Sequence, residues 1–384
     1  MFTAFASYAD QALYNGLRLV LESNPIVSES RNGPVLRTRM PLTTVYTDPK
    51  SRVLFDATRD CNPFLHLFES MWMLQGRRDL AFVEYFTPQM RSYSDDGTTL
   101  NGAYGYRWRH HFGLDQIEYI ISELKDPNSR RAHMGMWDAR NDPKSAQTGT
   151  KDVPCNLSIA FDVIENRLNM TVFNRSNDLI WGAYGANLVH MSFLQEYVAQ
   201  AGGFMIGNYY QVSNNAHIYL DNPVTKRMVV PVTDSRYMHP DPSWRGEDKP
   251  DQGLMLTAFG FNVDTYMQTA KPGLESLPKI PQGLTFTPFL FDYTAEGKEQ
   301  FDADLNSIFF RFDYSQRIDK ITYVSRFGKE VLSPMGEAYS MYKDNRLEEA
   351  VAFLENQQRY DWIVNGKQWI ERRIAARKAK ETKQ

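Results

Sequence analysis

Residues 151–187 read KDVPCNLSIAFDVIENRLNMTVFNRSNDLIWGAYGAN and hold a thiol (Cys155), a guanidinium (Arg175), a hydroxyl (Ser176), a carboxylate (Asp178) and an amide (Asn187). A thiolate adds to electrophilic carbon, and it needs a nearby cation to form at neutral pH. Alone, Cys155 reads as a small buried hydrophobe. With Arg175 and with Arg31, Arg130 and Arg131 in turn-like settings, it reads as a nucleophile beside a site that grips a phosphate bidentately. The seven histidines lack ligand spacing and no second cysteine lies near Cys155, so no metal site is expected. No glycine-rich phosphate loop is present.

These groups need a scaffold. Leu157, Ile159, Phe161 and Val163 alternate as a half-buried strand. Glu165, Asn166 and Arg167 form a turn, and residues 168–173 return as the second arm of a hairpin. Residues 3–22 read as an opening helix, and 35–39 and 53–56 as strands. Residues 64–74 read as an apolar helix that carries Glu69, either a satisfied structural acid or a site residue. Residues 101–108 read as a tight loop presenting Tyr104. A helix over 115–125 leads to Arg130 and Arg131, which fit either a solvated face or a phosphate. Residues 188–201 form a core helix and 204–212 a strand, before His217 and Tyr219. Residues 231–300 read as irregular loops around a few strands. Helices return from Ser333, over 347–356 and over 361–380. Their basic end (Arg372, Arg373, Arg377, Lys378, Lys380) reads as a solvated tail.

Across 384 residues, 42% hydrophobic and 23% charged content fits a globular chain with a real core. A net charge of -3 and a pI near 6.2 exclude general attraction to nucleic acid. Two cysteines leave no disulfide framework and suit a reducing cytoplasm. The first residues lack a signal-peptide pattern, and no apolar run approaches a membrane span, so no membrane role is expected.

From Phe68 to Tyr219 the chain resembles the thymidylate synthase family, including its pyrimidine hydroxymethylase branch. Seven motifs agree in order. Glu69 through Gly76 resembles the helix of the catalytic glutamate. Residues 102–108 resemble the YGxxW loop, with Tyr104. Arg130 and Arg131 resemble the paired arginines that reach a partner subunit's phosphate. Pro154-Cys155 resembles the nucleophile motif and residues 174–178 the QRSxD motif. Asn187 falls at the base-reading asparagine, and His217 and Tyr219 at the pair that holds the sugar. Arg31 matches the N-terminal phosphate arginine.

The resemblance implies an α+β fold, a large mixed β-sheet packed by helices, with residues 1–230 as catalytic core and 231–384 as an extended C-terminal region. It implies a homodimer sharing arginines across its interface, with 5,10-methylene-tetrahydrofolate as co-substrate. In the roles so implied, Cys155 adds to C6 of a pyrimidine nucleotide, while Glu69 and Tyr104 manage protons. Arg31, Arg175, Ser176, Arg130 and Arg131 hold the phosphate. Asp178, with Trp181 and Gly182, holds the folate, and Asp178 joins the catalytic set. Departures concentrate on the folate side. Asn156 follows the cysteine where synthases carry histidine. The loop before Asn187 is one residue longer. The tryptophan that shields the methylene intermediate and the apolar closing tail are not evident. Loss of a shield favours water as the final acceptor. The expected reaction is therefore dUMP to 5-hydroxymethyl-dUMP, with thymidylate synthase and then dCMP hydroxymethylase as alternatives. The associated source is a bacteriophage, so the cytoplasm is that of an infected bacterial host. A cysteine hydrolase using Cys155 with His217 would leave the arginines unexplained, and a nucleic-acid binder would contradict the net charge.

Cys155→Ser should abolish turnover and leave nucleotide binding largely intact, because a hydroxyl is a far weaker nucleophile than a thiolate. Substantial activity in that variant would sink the covalent reading.

Overall fold

The structure, a computed structural model, describes residues 1–232, 281–285 and 287–382. The chain opens with β1 (Phe2–Ala6), α1 (Ala9–Glu22), β2 (Ile26–Ser28), β3 (Val35–Arg37) and β4 (Leu42–Tyr46). Five helices and a strand follow: α2 (Pro63–Leu74), α3 (Leu80–Phe86), α4 (Tyr104–Arg109), α5 (Gln116–Glu123), β5 (His133–Gly135) and α6 (Asp142–Gln147). Then come β6 (Asn156–Ile164), β7 (Arg167–Asn174), β8 (Asn177–Asp178), α7 (Asn187–Gly202), β9 (Met205–Ser213), β10 (Ala216–Tyr219) and α8 (Pro223–Val232). The described C-terminal part holds α9 (Ala295–Ser315), α10 (Ser333–Lys343), α11 (Leu347–Glu355) and α12 (Asp361–Glu381).

The fold is α+β. Six strands form one mixed sheet in the order β1-β4-β9-β7-β6-β5, with β1–β4 and β7–β9 parallel and the remaining pairs antiparallel. A smaller sheet runs β2-β3-β10-β8. The expected hairpin is β6–β7, and Glu165 and Asn166 take positive φ (50° and 60°) in its two-residue turn.

The central helix α7 is apolar on most faces and buried from Asn187 to Gln200, as its position between sheet and helices requires. It stops at Gly203 in the left-handed conformation (φ 77°). Helix α2 crosses it, started by Asn62, whose side chain accepts from Phe64 N (3.1 Å) and Leu65 N (3.2 Å), with Pro63 in its first turn. Gly105 of α4 lies so close that a Cβ would sit 2.0 Å from Met73 O of α2. The C-terminal helices pack on α2 and α3 through Phe82–Phe309, Phe82–Phe312 and Phe64–Trp369 ring contacts. Among the described residues no helix is long and apolar enough to cross a membrane.

Several expectations need correction. The opening helix begins only at Ala9, because residues 2–6 pair in parallel with β4, a contact no local pattern encodes. Residues 53–56 are not a strand. Their backbone is satisfied by side chains instead: Asp10 accepts from Phe55 N (3.1 Å) and Asp56 N (2.8 Å), and Asn365 donates to Leu54 O (2.7 Å). Most of 231–300 lies outside the described residues, but Ala295 begins a helix that runs to Ser315, ahead of the expected return of helices at Ser333. The basic end is only partly a solvated tail. Arg372 and Arg373 both bond Asp60 Oδ1 (2.8 and 2.7 Å), while Arg377, Lys378 and Lys380 are exposed.

Burial raises the Asp10 carboxyl to about 7 against its two backbone donors. Asp10→Ala would strand those buried N–H groups, at about 1 to 3 kcal/mol. Because the folded pKa lies above the unfolded value, the proton-linked stability is full below the unfolded value and fades as pH rises through about 7. The melting-temperature difference between native protein and Asp10→Ala should therefore be larger at pH 5 than at pH 8.

Candidate active site

Strand β6 starts immediately after Cys155, and the thiol is held at the entry to the sheet by two guanidinium-bound carbonyls. Arg175 donates to Pro154 O (2.9 Å) and Val153 O (3.0 Å), and its Nη2 lies 3.7 Å from Cys155 Sγ. Arg175 N in turn donates to Cys155 O (2.9 Å). Arg31 donates to Thr150 O (3.0 Å) and Lys151 O (2.7 Å) of the same loop. Burial raises the Cys155 thiol above its usual range, against the lowering pull of Arg175, with Asp152 also raising it. The cation is where the sequence places it, yet desolvation outweighs it.

Tyr104 is not at the tip of a loop but opens α4. Its hydroxyl accepts from Cys155 N (3.3 Å), and burial raises its pKa, with Cys155 and Asp152 adding to the rise. The contact is enforced by Asp152, which accepts from Gly102 N (2.7 Å), and by Asn101, which donates to Asp152 O (2.9 Å).

Glu69 projects from α2 and is 7% exposed. Its Oε2 lies 3.2 Å from His190 Nε2 of α7, at ion-pair distance but without hydrogen-bond alignment. One turn earlier, Asn187 is the first residue of α7, and its Nδ2 donates to Asn177 Oδ1 (3.0 Å). Residues 179–186 wind into α7 as a wide π-type turn broken at Gly185 (φ -121°, ψ -108°). Such turns absorb single-residue insertions.

Asp178 caps that turn by accepting from Trp181 N (2.7 Å), and its other oxygen is buried with no protein partner. Burial pushes its carboxyl up to about 6. Trp181 is 41% exposed, with the Arg59 guanidinium 3.9 Å above its ring. Gly182 lies against the amides, since a Cβ there would meet Asn177 Oδ1 at 2.8 Å. His217 and Tyr219 stand edge to face (5.3 Å) on β10, beside β8 and Asp178. Burial raises the Tyr219 phenol, and Asp178 and Cys155 add to the rise. Ser176 is half-buried between Arg175 and Asn177.

Arg130 and Arg131 are not brought to Cys155 within the chain. Both are exposed. Arg131 bonds Glu123 (2.8 Å), and Arg130 has no ion pair or hydrogen bond among the described residues. Sequence reading missed Asp152, His190 and Asn177. Asn177 sits inside a motif already singled out, and Asp152 lies three residues before the cysteine; His190 had no local signal, since only the helix crossing brings it to Glu69.

Residues 42–269 match the family described as thymidylate synthase. The chain is 39% identical over 366 residues to "Deoxyuridylate hydroxymethyltransferase" of Pseudomonas phage M6, covering 92% of this chain and 90% of that protein. It is 33% identical to a protein of the same name from Bacillus phage SP01, over 58% of this chain and 60% of that one. A "Putative thymidylate synthase" of Methanothermobacter marburgensis is 40% identical over 33% of this chain and 54% of its own.

In the free protein, alkylation of Cys155 by iodoacetamide, followed on its peptide by mass, should still accelerate with pH above the ordinary thiol value of 9.0. Arg175→Ala should slow it at every pH, since the guanidinium is the largest influence favouring the thiolate. A plateau below neutrality would refute the raised thiol.

Proposed function

The chain belongs to the thymidylate synthase family, and from that premise we propose that it is a transferase converting dUMP to 5-hydroxymethyl-dUMP, with methylene-tetrahydrofolate and water as co-substrates. The observation that carries the nucleotide half is the convergence of Arg175 and Tyr104 on Cys155, with a thiol 3.7 Å from a guanidinium. The hydroxymethyl product is favoured by the likeness, along nearly the whole chain, to a phage protein named for that activity.

Cys155 Sγ adds to C6 of the pyrimidine, which turns C5 into a nucleophile. The folate, when bound, supplies the one-carbon electrophile. Asp178 fits such a ligand, because its buried unpartnered oxygen needs an N–H donor. Glu69, close to His190, takes the proton from C5 and delivers it to the folate nitrogen as the bond from that nitrogen to the one-carbon unit breaks; ionised again, it takes a proton from the water that adds to the exocyclic carbon, and departure of Cys155 from C6 as a thiolate restores the ring. Asn187 reads the uracil edge, donating to O4 and accepting from N3–H. His217 and Tyr219 hold the sugar. Arg31, Arg175 and Ser176 hold the phosphate, joined by Arg130 and Arg131 of a second copy in a homodimer. The exposed, unpaired Arg130 supports that sharing. Residues 1–230 form the catalytic core and 231–384 a C-terminal region. The reaction runs in the cytoplasm of a phage-infected bacterium.

Incubation with dUMP and methylene-tetrahydrofolate, with both products identified by mass, should give 5-hydroxymethyl-dUMP and tetrahydrofolate. Stoichiometric dTMP and dihydrofolate would replace the hydroxymethylase with a synthase and keep the family. Turnover of dCMP alone would overturn the base assignment.

A further inference from the structure

The side-chain amide of Asn187 is the end of a buried relay. Asn187 Nδ2 donates to Asn177 Oδ1 (3.0 Å). Asn177 Nδ2 spends both hydrogens, on Gln211 Oε1 (2.9 Å) and Ser213 Oγ (3.1 Å). Gln211 Nε2 donates to Tyr209 OH (2.7 Å) and to Ala183 O (3.3 Å). Asn177, Gln211 and Ser213 are 3%, 1% and 2% exposed, so water does not substitute for these partners, whereas Asn187 is 9% exposed.

An isolated amide can turn over, exchanging its donor and acceptor ends. Here one group forbids it. Ala183 O is a backbone carbonyl and only accepts; it also receives Tyr46 OH (3.1 Å). Gln211 must therefore present nitrogen to Ala183 and oxygen to Asn177. Asn177 must then present nitrogen to Gln211 and oxygen to Asn187. Asn187 is left with one free N–H and a free Oδ1, the donor–acceptor pair that complements O4 and N3–H of uracil. Cytosine, with an acceptor at N3 and a donor at C4, needs the reverse. Turning all three amides would set Gln211 Oε1 against Ala183 O. The relay is also packed from the side, since a Cβ at Gly182 would lie 2.8 Å from Asn177 Oδ1 and 3.3 Å from Asn187 Nδ2.

We propose that Gln211 and Asn177 are specificity-determining positioning residues: anchored on Ala183 O, they fix the orientation of the Asn187 amide and so select uracil over cytosine nucleotides. The inference rests on the reading of Asn187 as the base-contacting residue.

The test compares kcat/KM for dUMP and dCMP in the full-length protein and in Gln211→Met, Gln211→Glu and Asn187→Ala, with melting temperatures alongside. The native protein should prefer dUMP at least about tenfold. Gln211→Met keeps the volume but breaks the relay, and the preference should fall below about threefold. Gln211→Glu should keep most of it. Ionised or protonated, a carboxyl still accepts from Asn177, and a protonated one still donates to Ala183 O. Packing alone predicts the opposite order, because a buried acid is the more disruptive change. Equal preference in Gln211→Met and Gln211→Glu, or a native ratio in a folded Gln211→Met, would overturn the proposal. Should Gln211→Met fail to fold, Asn177→Leu carries the same expectation and the same refutation. Asn187→Ala separates the two readings. An unchanged ratio there would remove Asn187 as base reader and the relay's role with it. A collapsed ratio there beside a native one in Gln211→Met would refute the relay alone.

Discussion

Arg107 is a guanidinium with no solvent exposure, and the elements around Cys155 are hung from it. It pairs bidentately with Asp142 (2.8 and 2.9 Å) and donates to Met136 O (2.8 Å) and Asn101 O (3.1 Å). A charge so placed must be fully paired, and removing one partner from such a pair costs about 3 to 5 kcal/mol. Meeting that demand draws together α4, α6 and the backbone just past β5. β5 borders β6, and Asn101 and Gly102 are tied to Asp152. The Tyr104 hydroxyl thus reaches Cys155 N because an arginine three residues along the same helix is satisfied deep in the core.

The other half of the site depends on two crossing helices. α7 is buried almost end to end, so its position and rotation are fixed by packing against the sheet. Its first residue is Asn187, and three residues later His190 faces Glu69 from α2. The amide and the carboxylate are therefore set by helix packing, whereas the thiol is set by a loop at the sheet's end.

Much of this was legible in the sequence because it is local. The β6–β7 hairpin shows period-two alternation around a turn, and α2, α7 and the C-terminal helices show long apolar or amphipathic runs. The candidate site residues were singled out through their order along the chain; Arg175 and Tyr104 lie at Cys155, and Asp178 stands beside His217 in the smaller sheet. What escaped is non-local. β1 needs β4, some forty residues away, to be a strand. Residues 53–56 look like a strand, but Asp10 and Asn365 take their hydrogen bonds. Arg372 and Arg373 look solvated until Asp60 arrives from the far end of the chain. The amide relay was invisible because Gln211 and Ser213 carry no motif; their meaning comes from β9 running beside β7.

The electrostatics of Cys155 follow from how its loop is held. Both arginines expected at the phosphate are already engaged in folding residues 150–155. Arg31 binds Thr150 O and Lys151 O, and Arg175 binds Val153 O and Pro154 O. A guanidinium has five N–H donors, and the hydrogen bonds of Arg175 within the described residues run through Nε and Nη2, which leaves Nη1 for a ligand oxygen. The residue that would grip the nucleotide is thus the residue that shapes the loop bearing the thiol, so a phosphate pulling on Nη1 would act on the two carbonyls just before Cys155. In the free protein burial in the same arrangement raises the thiol above its usual range. Cations shared among backbone carbonyls do not offset the desolvation of an anion beside Asp152. In the proposed reaction, bond formation to the pyrimidine disperses that charge, so burial disfavours the free thiolate of Cys155 more than it disfavours the adduct.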